Sequence, residues 1–366
     1  MIQGGALLLL AAKALLIAGL PLLYVWRSRD PQKLRKLAWV TAFLTLDLVM
    51  FGSFTRLTDS GLGCPDWPGC YGHSNPLSAG EPIRAAETAQ PTGPVTMTKA
   101  WIEMLHRYFA MAVGFLIIVL MVMSWLRWRN DRISPSPWLP TLTFIAICLQ
   151  GAFGAWTVTM KLQPAIVTAH LLGGITLFAL LVWLALREGT DRVVDWRATR
   201  LRSHAVAGLL VLIGQIALGG WVSTNYAVLA CPDFPLCQGR LLPDADFHHG
   251  FTLWRELGMT GSGAPIPFQS LVAIHWTHRV FALAAFAVLG TLAWRGWHVK
   301  GLRQPMRWLA VLLALQFATG LSNIVLQWPL LLAIAHNGGA ALLAATLVAV
   351  LFRIGIAGRP IGVTNG

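Results

Sequence analysis

The sequence predicts an all-α membrane protein with two parallel-repeated four-helix transmembrane bundles and one extra N-terminal span. Three observations support this fold class. Hydrophobic residues make up 56% of the 366 residues and charged residues only 12%, whereas a soluble domain carries about a quarter charged residues. Apolar stretches of about 20 residues, each long enough to cross a bilayer as a helix, recur nine times along the chain. Features of the first half also return in the second half in the same order.

The nine predicted spans are separated by connections whose charge alternates. The spans are placed at residues 5–26, 37–57, 101–125, 138–160, 164–187, 203–225, 270–293, 306–327 and 329–352. Most of the 28 Lys and Arg residues lie in alternate connections, which the positive-inside rule places in the cytoplasm. The net charge of +13 therefore indicates membrane topology rather than nucleic-acid binding. The C-terminus is expected inside, and the N-terminus and both cysteine-containing connections outside.

The first span is interpreted as an uncleaved helix rather than a signal peptide, because no small-residue cleavage site follows it. Two charged residues in the first two spans call for partners, since an unpaired charge in hydrocarbon is costly. Lys13 and Asp47 are expected to differ in depth by only about 3 Å at about 1.5 Å per residue. We therefore predict that they pair and dock the extra helix. Alternatively, Lys13 extends toward a polar surface while Asp47 bonds to a hydroxyl or a backbone group.

An internal repeat divides the rest of the chain into two halves. The matched features, at offsets of 166–172 residues, are Cys64 with Cys231, Cys70 with Cys237, His106-Arg107 with His278-Arg279, Gln150 with Gln316, Gly154 with Gly320, and His170 with His336. Four spans per half make both halves enter the membrane from the same side, so the repeat is predicted to be parallel. The predicted domains are a span with a cytoplasmic connection at 1–36, a first bundle at 37–190 and a second bundle at 200–355.

Four histidines within the spans are predicted to lie at one depth, about 8–12 Å below the outer surface at about 1.5 Å per residue. They are His106, His170, His278 and His336. Ionisable residues inside a span are functional candidates, and duplication at a common level favours ligands over histidines that only pack between helices. Two histidines facing each other across a bundle suit the axial positions of a haem iron, whereas zinc gathers three or four ligands at one point.

Small residues and cysteines lie near the predicted histidine layer. Gly173 and Gly339, three residues after His170 and His336, are expected to leave room for the edge of a macrocycle, or else to let helices approach closely. The motifs CPDWPGC at 64–70 and CPDFPLC at 231–237 occupy outer connections. Two interpretations of the cysteines stay open: a closed loop that forms a lid over each site, and a thiol redox relay.

Glu103 distinguishes the first half from the second. It precedes His106 by three residues and shares its helix face, whereas the equivalent position in the second half is His275. A carboxylate near one site only indicates that the first half performs chemistry and the second holds a haem permanently. The alternative is that Glu103 caps the start of its helix, where acids are favourable.

These motifs together resemble the haem A synthase family over about residues 37–352. The motifs are SGLGCPDWPGC, EMLHR, AHLLGG, CPDFPLC, THR and AHNGG. The resemblance implies an enzyme that oxidises the ring D methyl group of haem O to a formyl group by successive hydroxylations, giving haem A for cytochrome oxidase. A di-haem electron-transfer cytochrome b and a haem transporter remain alternatives.

The resemblance also implies roles for single residues. The implied roles are axial ligation of a resident haem b by His278 and His336, ligation of the substrate haem by His106 and His170, catalysis by Glu103, and loop disulfides Cys64–Cys70 and Cys231–Cys237. The expected partners are haem O as substrate, haem A as product, a haem O synthase, cytochrome oxidase assembly factors and the lipid bilayer, with no nucleic acid. The expected location is the inner (cytoplasmic) membrane.

Overall fold

A computed structural model describes residues 4–189 and 193–358 of the chain, and within these ranges the regular secondary structure is helical. The helices are α1 Gly4–Arg27, α2 Lys33–Leu57, α3 Gly80–Ala89, α4 Met97–Asn130, α5 Trp138–Thr159, α6 Pro164–Arg187, α7 Arg202–Thr224, α8 Phe247–Gly250, α9 Phe268–Gly296, α10 Arg303–Val325 and α11 Leu330–Ala357. In these ranges, nine helices (all except α3 and α8) are long and apolar enough to cross a membrane. The prediction of an all-α, multi-pass membrane protein with nine spans is confirmed.

Some predicted features reach beyond the described residues. The domain limits at 1–36 and 37–190 include residues 1–3 and 190, which lie outside them. Residues 190–192, in the connection predicted to be cytoplasmic, and the C-terminal residues 359–366 lie outside them as well. The sidedness of the loops and the parallel arrangement of the halves stay predictions.

The chain divides into two compact units, one comprising Met1–Ala185 and Thr252–Pro265, the other Leu186–Phe251 and Ile266–Gly366. In the first unit α4 packs between α2 and α5, while glycines of α5 and α6 bring α6 against α5 and α2. In the second unit α9 packs between α7 and α10, and α11 packs on α10 and α7. Each unit is therefore a four-helix ring, an architecture that can hold a cofactor between facing helices. The two histidine-bearing helices of each ring lie diagonally opposite each other.

The hairpins that carry the later histidine of each unit have the same turn. Lys161 and Leu162, between α5 and α6, have φ values of 49° and 59°. Gln327 and Trp328, between α10 and α11, have φ values of 53° and 68°. Two consecutive non-glycine residues in the left-handed region are uncommon, so their recurrence at an offset of 166 residues extends the sequence repeat to the backbone.

The extra helix α1 packs on α4 and α2, but not through the predicted ion pair. The Lys13 Nζ atom donates hydrogen bonds to the carbonyl and hydroxyl oxygens of Ser74 at 2.8 and 3.3 Å. It also lies 5.0 Å from the ring centroid of Tyr108, whose hydroxyl donates to the same carbonyl at 2.5 Å. Asp47 is exposed on α2. The predicted pairing of Lys13 with Asp47 is wrong, because the connection after the first cysteine loop brings the Ser74 carbonyl to Lys13. The predicted depths of two helices contain no information about that connection.

Candidate functional site

Each of the four histidines has a glycine of a neighbouring helix against its ring. A Cβ atom added at the glycine would lie close to the histidine Cε1 atom, at 3.1 Å for Gly52 and His106, 3.3 Å for Gly154 and His170, 3.0 Å for Gly219 and His278, and 3.3 Å for Gly320 and His336. These distances are shorter than ordinary van der Waals contact, which begins at 3.4 Å. The glycines therefore provide the space in which the four imidazole rings lie.

The ring orientation leaves one nitrogen of the later histidines directed away from the glycine. The Nδ1 atoms of His170 and His336 lie 3.9 and 3.8 Å from the added Cβ, and their Nε2 atoms lie farther away. In the first unit the Nδ1 atoms of His106 and His170 are buried with no hydrogen-bond partner among the described residues. Buried polar groups are normally paired, so these two rings are not held in place as ordinary packing histidines are.

Within each unit the two histidines are close enough to interact electrostatically. His106 interacts electrostatically with His170, and His278 interacts with His336. The four lie six to ten residues after the N-terminal ends of their helices, or about 9–15 Å along the axis at about 1.5 Å per residue. Each pair thus lies within a single unit, and each histidine lies near the N-terminal end of its helix. That each pair shares one iron stays a prediction.

Glu103 is buried, 4% exposed, and both its carboxylate oxygens have partners. Oε1 forms an ion pair with Arg107, and Oε2 accepts a hydrogen bond from the backbone N–H of Cys64 at 2.8 Å. Its alternative role as a helix cap is not observed, because the Thr96 hydroxyl oxygen caps α4 by accepting from the Lys99 N–H at 3.2 Å. The carboxylate instead joins the first cysteine loop to α4, one turn from His106.

The arginine after the first histidine of each pair holds the cysteine loop in both units. Arg107 donates to the carbonyls of Asp66, at 2.8 Å, and Gly69. Arg279 donates to the carbonyls of Asp233 at 2.7 Å, Leu236 at 2.9 Å and Cys231. Both loops are thereby attached to the helix that carries a histidine, which supports the interpretation of the loops as lids.

The partner of the arginine differs between the units. Arg107 pairs with the Glu103 carboxylate, whereas the Arg279 Nε donates to the Nε2 atom of His275 at 3.1 Å. The Nδ1–H of His275 donates in turn to the carbonyl of Ala227 at 3.0 Å. Loop attachment is therefore common to both units, and a buried carboxylate stands near the histidine pair of the first unit only.

The cysteine loops share their internal bonding. The sulfur atoms of Cys64 and Cys70, and those of Cys231 and Cys237, lie at disulfide distance, in agreement with the implied pairing. The carboxylate of Asp66 accepts from the N–H groups of Tyr71 and Gly72 at 2.6 and 2.8 Å. Asp233 accepts from the equivalent groups at 2.9 and 2.8 Å. The aspartate of each motif thus closes the turn that follows its second cysteine.

Asp233 lies outside the membrane spans, and its neighbours in the second cysteine loop stabilise its charge. Slight burial acts to raise the pKa of its carboxyl. The N–H groups of Gly239 and Gln238 and the guanidinium of Arg279 lower this pKa by more than burial raises it. The pKa therefore lies below the ordinary value of 3.8. The second loop keeps these charge-assisted bonds at neutral pH.

Gly173 and Gly339 each face the side chain of a glutamine on a neighbouring helix. A Cβ at Gly173 would lie 2.2 Å from the Oε1 atom of Gln150, whose Nε2 donates to the His170 carbonyl at 2.8 Å. A Cβ at Gly339 would lie 3.2 Å from the Oε1 atom of Gln316. The two glycines admit glutamine side chains against the histidine helices, as the alternative of close helix approach predicts. That they leave room for the edge of a macrocycle stays a prediction.

Sequence reasoning missed several residues around the rings. Gly52 and Gly219 lie at the repeat offset of 167 residues, so the repeat contained a signal for them. Thr319, whose Oγ1 atom lies 2.9 Å from the His336 Nδ1, and Gln215, whose Nε2 lies 3.2 Å from the His278 Nδ1, have no like residue in the first half. No repeated feature marks these two positions, so the repeat did not point to them.

Comparison with known proteins adds to this geometry. Residues 35–348 match the COX15-CtaA family, described as "Cytochrome oxidase assembly protein". The chain belongs to this family. The match contains all four histidines and begins after α1, so the extra helix lies outside the family region.

Three relatives of the chain carry the name "Heme A synthase". The protein of Shewanella oneidensis is 39% identical to this chain over 86% of this chain and 96% of its own length. That of Sphingopyxis alaskensis is 30% identical over 89% and 93%, and that of Caulobacter vibrioides is 28% identical over 86% and 94%. The similarity thus extends over nearly the full length of each relative.

Proposed function

We propose that the chain is an enzyme, a haem A synthase, that oxidises the ring D methyl group of haem O to a formyl group by successive hydroxylations. The observation that carries this proposal is the pair of histidine sites, of which only the first has a buried carboxylate one turn away, on Glu103. The names of the relatives support the same activity. Each of two hydroxylations removes two electrons from the methyl carbon, which pass to dioxygen or another electron acceptor supplied from outside the chain, and together they give a geminal diol. Loss of water from the diol gives the aldehyde.

The two histidine pairs are assigned different haems. His278 and His336, in the second bundle at 200–355, would hold haem b, and His106 and His170, in the first bundle at 37–190, would hold the substrate haem O. The glycines that make room for all four rings fit imidazoles that are positioned as ligands. A bound haem b would supply one-electron chemistry.

Glu103 is assigned the catalytic role in the first bundle. Arg107 and the Cys64 N–H hold its carboxylate in one place, one turn from His106. A carboxylate so positioned is suited to take up a proton released on hydroxylation, or to stabilise positive charge that develops at the methyl carbon. The first cysteine loop contains Cys64 and accepts hydrogen bonds from Arg107, so the loop and the carboxylate are held by the same contacts.

The buried Glu103 carboxylate, which has no counterpart at the aligned position of the second unit, argues against a di-haem electron-transfer cytochrome b. A di-haem electron-transfer cytochrome b would explain four histidines in two pairs, but it needs no carboxylate at one pair only. A haem transporter would not need the Glu103–Arg107 pair either. The exchange of Glu103 for His275 in an otherwise repeated arrangement favours a chemical step in the first unit.

The proposed location is the inner membrane, with the cysteine loops outside and the C-terminus in the cytoplasm. The distribution of Lys and Arg supports this orientation, and cysteine pairs at disulfide distance fit an oxidising compartment. The description of the family supports cytochrome oxidase assembly factors as partners, and the substrate implies a haem O synthase.

The test is to identify the haems in membranes of a bacterial host that makes haem O but no haem A. Production of the chain should yield haem A, detected by chromatography and mass spectrometry of the extracted haems. His106→Ala and His170→Ala should abolish the conversion, whereas His73→Ala, at an exposed loop histidine, should not. Purified protein that contains only haem b, although haem O is supplied, would contradict the proposal and favour the cytochrome.

A further inference from the structure

The hydroxyl of Thr319 determines which nitrogen of His336 carries the proton. Its Oγ1 donates to the carbonyl of Leu315, one turn earlier in α10, at 2.8 Å. With its one proton in this bond, the shortest that the hydroxyl makes, the oxygen accepts from the His336 Nδ1–H at 2.9 Å. The proton of the neutral imidazole then lies on Nδ1, and the lone pair of Nε2 is free for a metal.

The equivalent position in the first unit has no such acceptor. Thr319 directly precedes Gly320, the glycine against His336, and Phe153 directly precedes Gly154, the glycine against His170. The His170 Nδ1 atom is buried and has no hydrogen-bond partner in the part of the chain described.

A backbone contact is common to both rings and does not remove this difference. The Gln150 carbonyl is within electrostatic reach of His170, as the Gln316 carbonyl is of His336. At His170, however, that contact falls outside hydrogen-bonding geometry. The hydroxyl acceptor is therefore particular to the second unit.

The other histidine of each pair has no side-chain acceptor of this kind among the described residues. Gln215 lies four residues before Gly219, with its Nε2 atom 3.2 Å from the His278 Nδ1. The same Nε2 donates to the His278 carbonyl at 3.3 Å, so the amide faces the ring as a donor. The residue four before Gly52 is Leu48, and the His106 Nδ1 atom is buried without a partner in the described ranges.

We propose that Thr319 is a positioning residue that makes His336 a permanent haem ligand. Phe153, in its place, leaves His170 exchangeable. A hydrogen bond at the second ring nitrogen fixes the tautomer and orientation of a ligating histidine and raises its basicity. A resident haem needs this support, whereas a site that takes up haem O and releases haem A must let its ligands go. The inference rests on the proposed assignment of the two haems.

The experiment measures haem b in purified full-length protein without any haem O. Thr319→Val keeps the shape of the side chain and removes the acceptor, so loss of haem b to an excess of a haem-scavenging protein should be about 10- to 100-fold faster. Its midpoint potential should become more positive, because a less basic imidazole stabilises the ferric state less. Thr319→Ser should restore both values, which a purely steric role of the methyl group would not explain.

Thr346→Val provides the matched control. Thr346 makes the same bond to the carbonyl one turn earlier, with its Oγ1 2.8 Å from the Leu342 oxygen, but it is half-buried on α11 and is not placed against a histidine. Its replacement should change neither the rate of haem loss nor the potential. Thr319→Val with a wild-type rate and potential would overturn the proposal.

The reverse exchange tests the first unit independently. Phe153→Thr should slow the release of haem O from protein loaded with it, and an unchanged or faster release would contradict the inference. If Thr319→Val does not accumulate as a helical protein by circular dichroism, this variant decides alone. Failure of the proposed function would appear differently, as protein that binds haem b in the second unit and haem O in the first without forming haem A.

Discussion

Replacement of Gly219 by alanine should weaken haem binding in the second unit with little effect on the fold. The added Cβ would lie 3.0 Å from the Cε1 atom of His278 and 3.7 Å from each ring nitrogen. Ordinary contact begins at 3.4 Å, so the ring must move by about 0.4 Å, the difference between the two values. Overpacking of this kind costs about 1–3 kcal/mol, which corresponds to roughly 5- to 150-fold in affinity at about 1.4 kcal/mol per factor of ten.

The helix itself should tolerate the change, because alanine is favoured over glycine in a helix interior by about 1 kcal/mol. The strain should therefore appear as displacement of the histidine ligand rather than as unfolding. The assay is the haem b content per protein and the rate of haem loss, with thermal unfolding followed in parallel. Gly290→Ala in α9 is the matched control, because no described heavy atom lies within 4 Å of its added Cβ. Wild-type haem content and rate in Gly219→Ala, or equal losses in Gly290→Ala, would refute the reasoning.

Three further predictions follow from the remaining contacts. Glu103→Gln should leave the haem b spectrum intact but slow conversion of haem O by about 100-fold or more, the scale of acid–base catalysis; wild-type turnover by extracted haem analysis would remove Glu103 from the mechanism. Lys13→Met should lower the free energy of unfolding by about 1–2 kcal/mol through its lost hydrogen bonds, whereas Asp47→Asn should not, and equal effects in denaturant titrations would argue against the observed docking of α1. Because the pKa of Asp233 is lowered, its contribution to loop stability should be present above about pH 4 and lost as pH falls through the lowered pKa. Hydrogen-exchange protection of the two amides it binds should show this acid loss, and Asp233→Ala should abolish protection at every pH; an acid-independent wild type would contradict the assignment.

The extents of the spans show how far hydropathy reaches. The sequence predicts the third span at 101–125, whereas α4 is longer at both ends and covers Met97–Asn130. Hydropathy reports only the part of a helix that suits hydrocarbon, whereas the helix continues to its cap at Thr96 and ends before Asp131. Existence and order of the spans were thus predictable, and their ends were set by local hydrogen bonds.

The error at Lys13 has a different origin. A count of residues along one helix gives the depth of Lys13 in the membrane. It gives no information about Ser74, which lies 61 residues away in the sequence. Ser74 supplies both oxygen acceptors of the amine, and it lies in an irregular connection whose path has no periodic pattern. A non-local contact of this kind follows from tertiary structure alone.

By itself, the sequence determined the fold class, the repeat, the cysteine motifs and the four histidines, because composition, hydropathy and repeated spacing can be counted along the chain. Only the tertiary structure decided what surrounds each histidine ring: the glycine notch, the loop contacts of Glu103, and the presence of a hydroxyl at Thr319 where Phe153 stands in the other half. These contacts depend on how far each helix is rotated about its axis and on how closely neighbouring helices approach. Such rotations and approaches are set by packing between distant segments, which no count of residues along the chain contains.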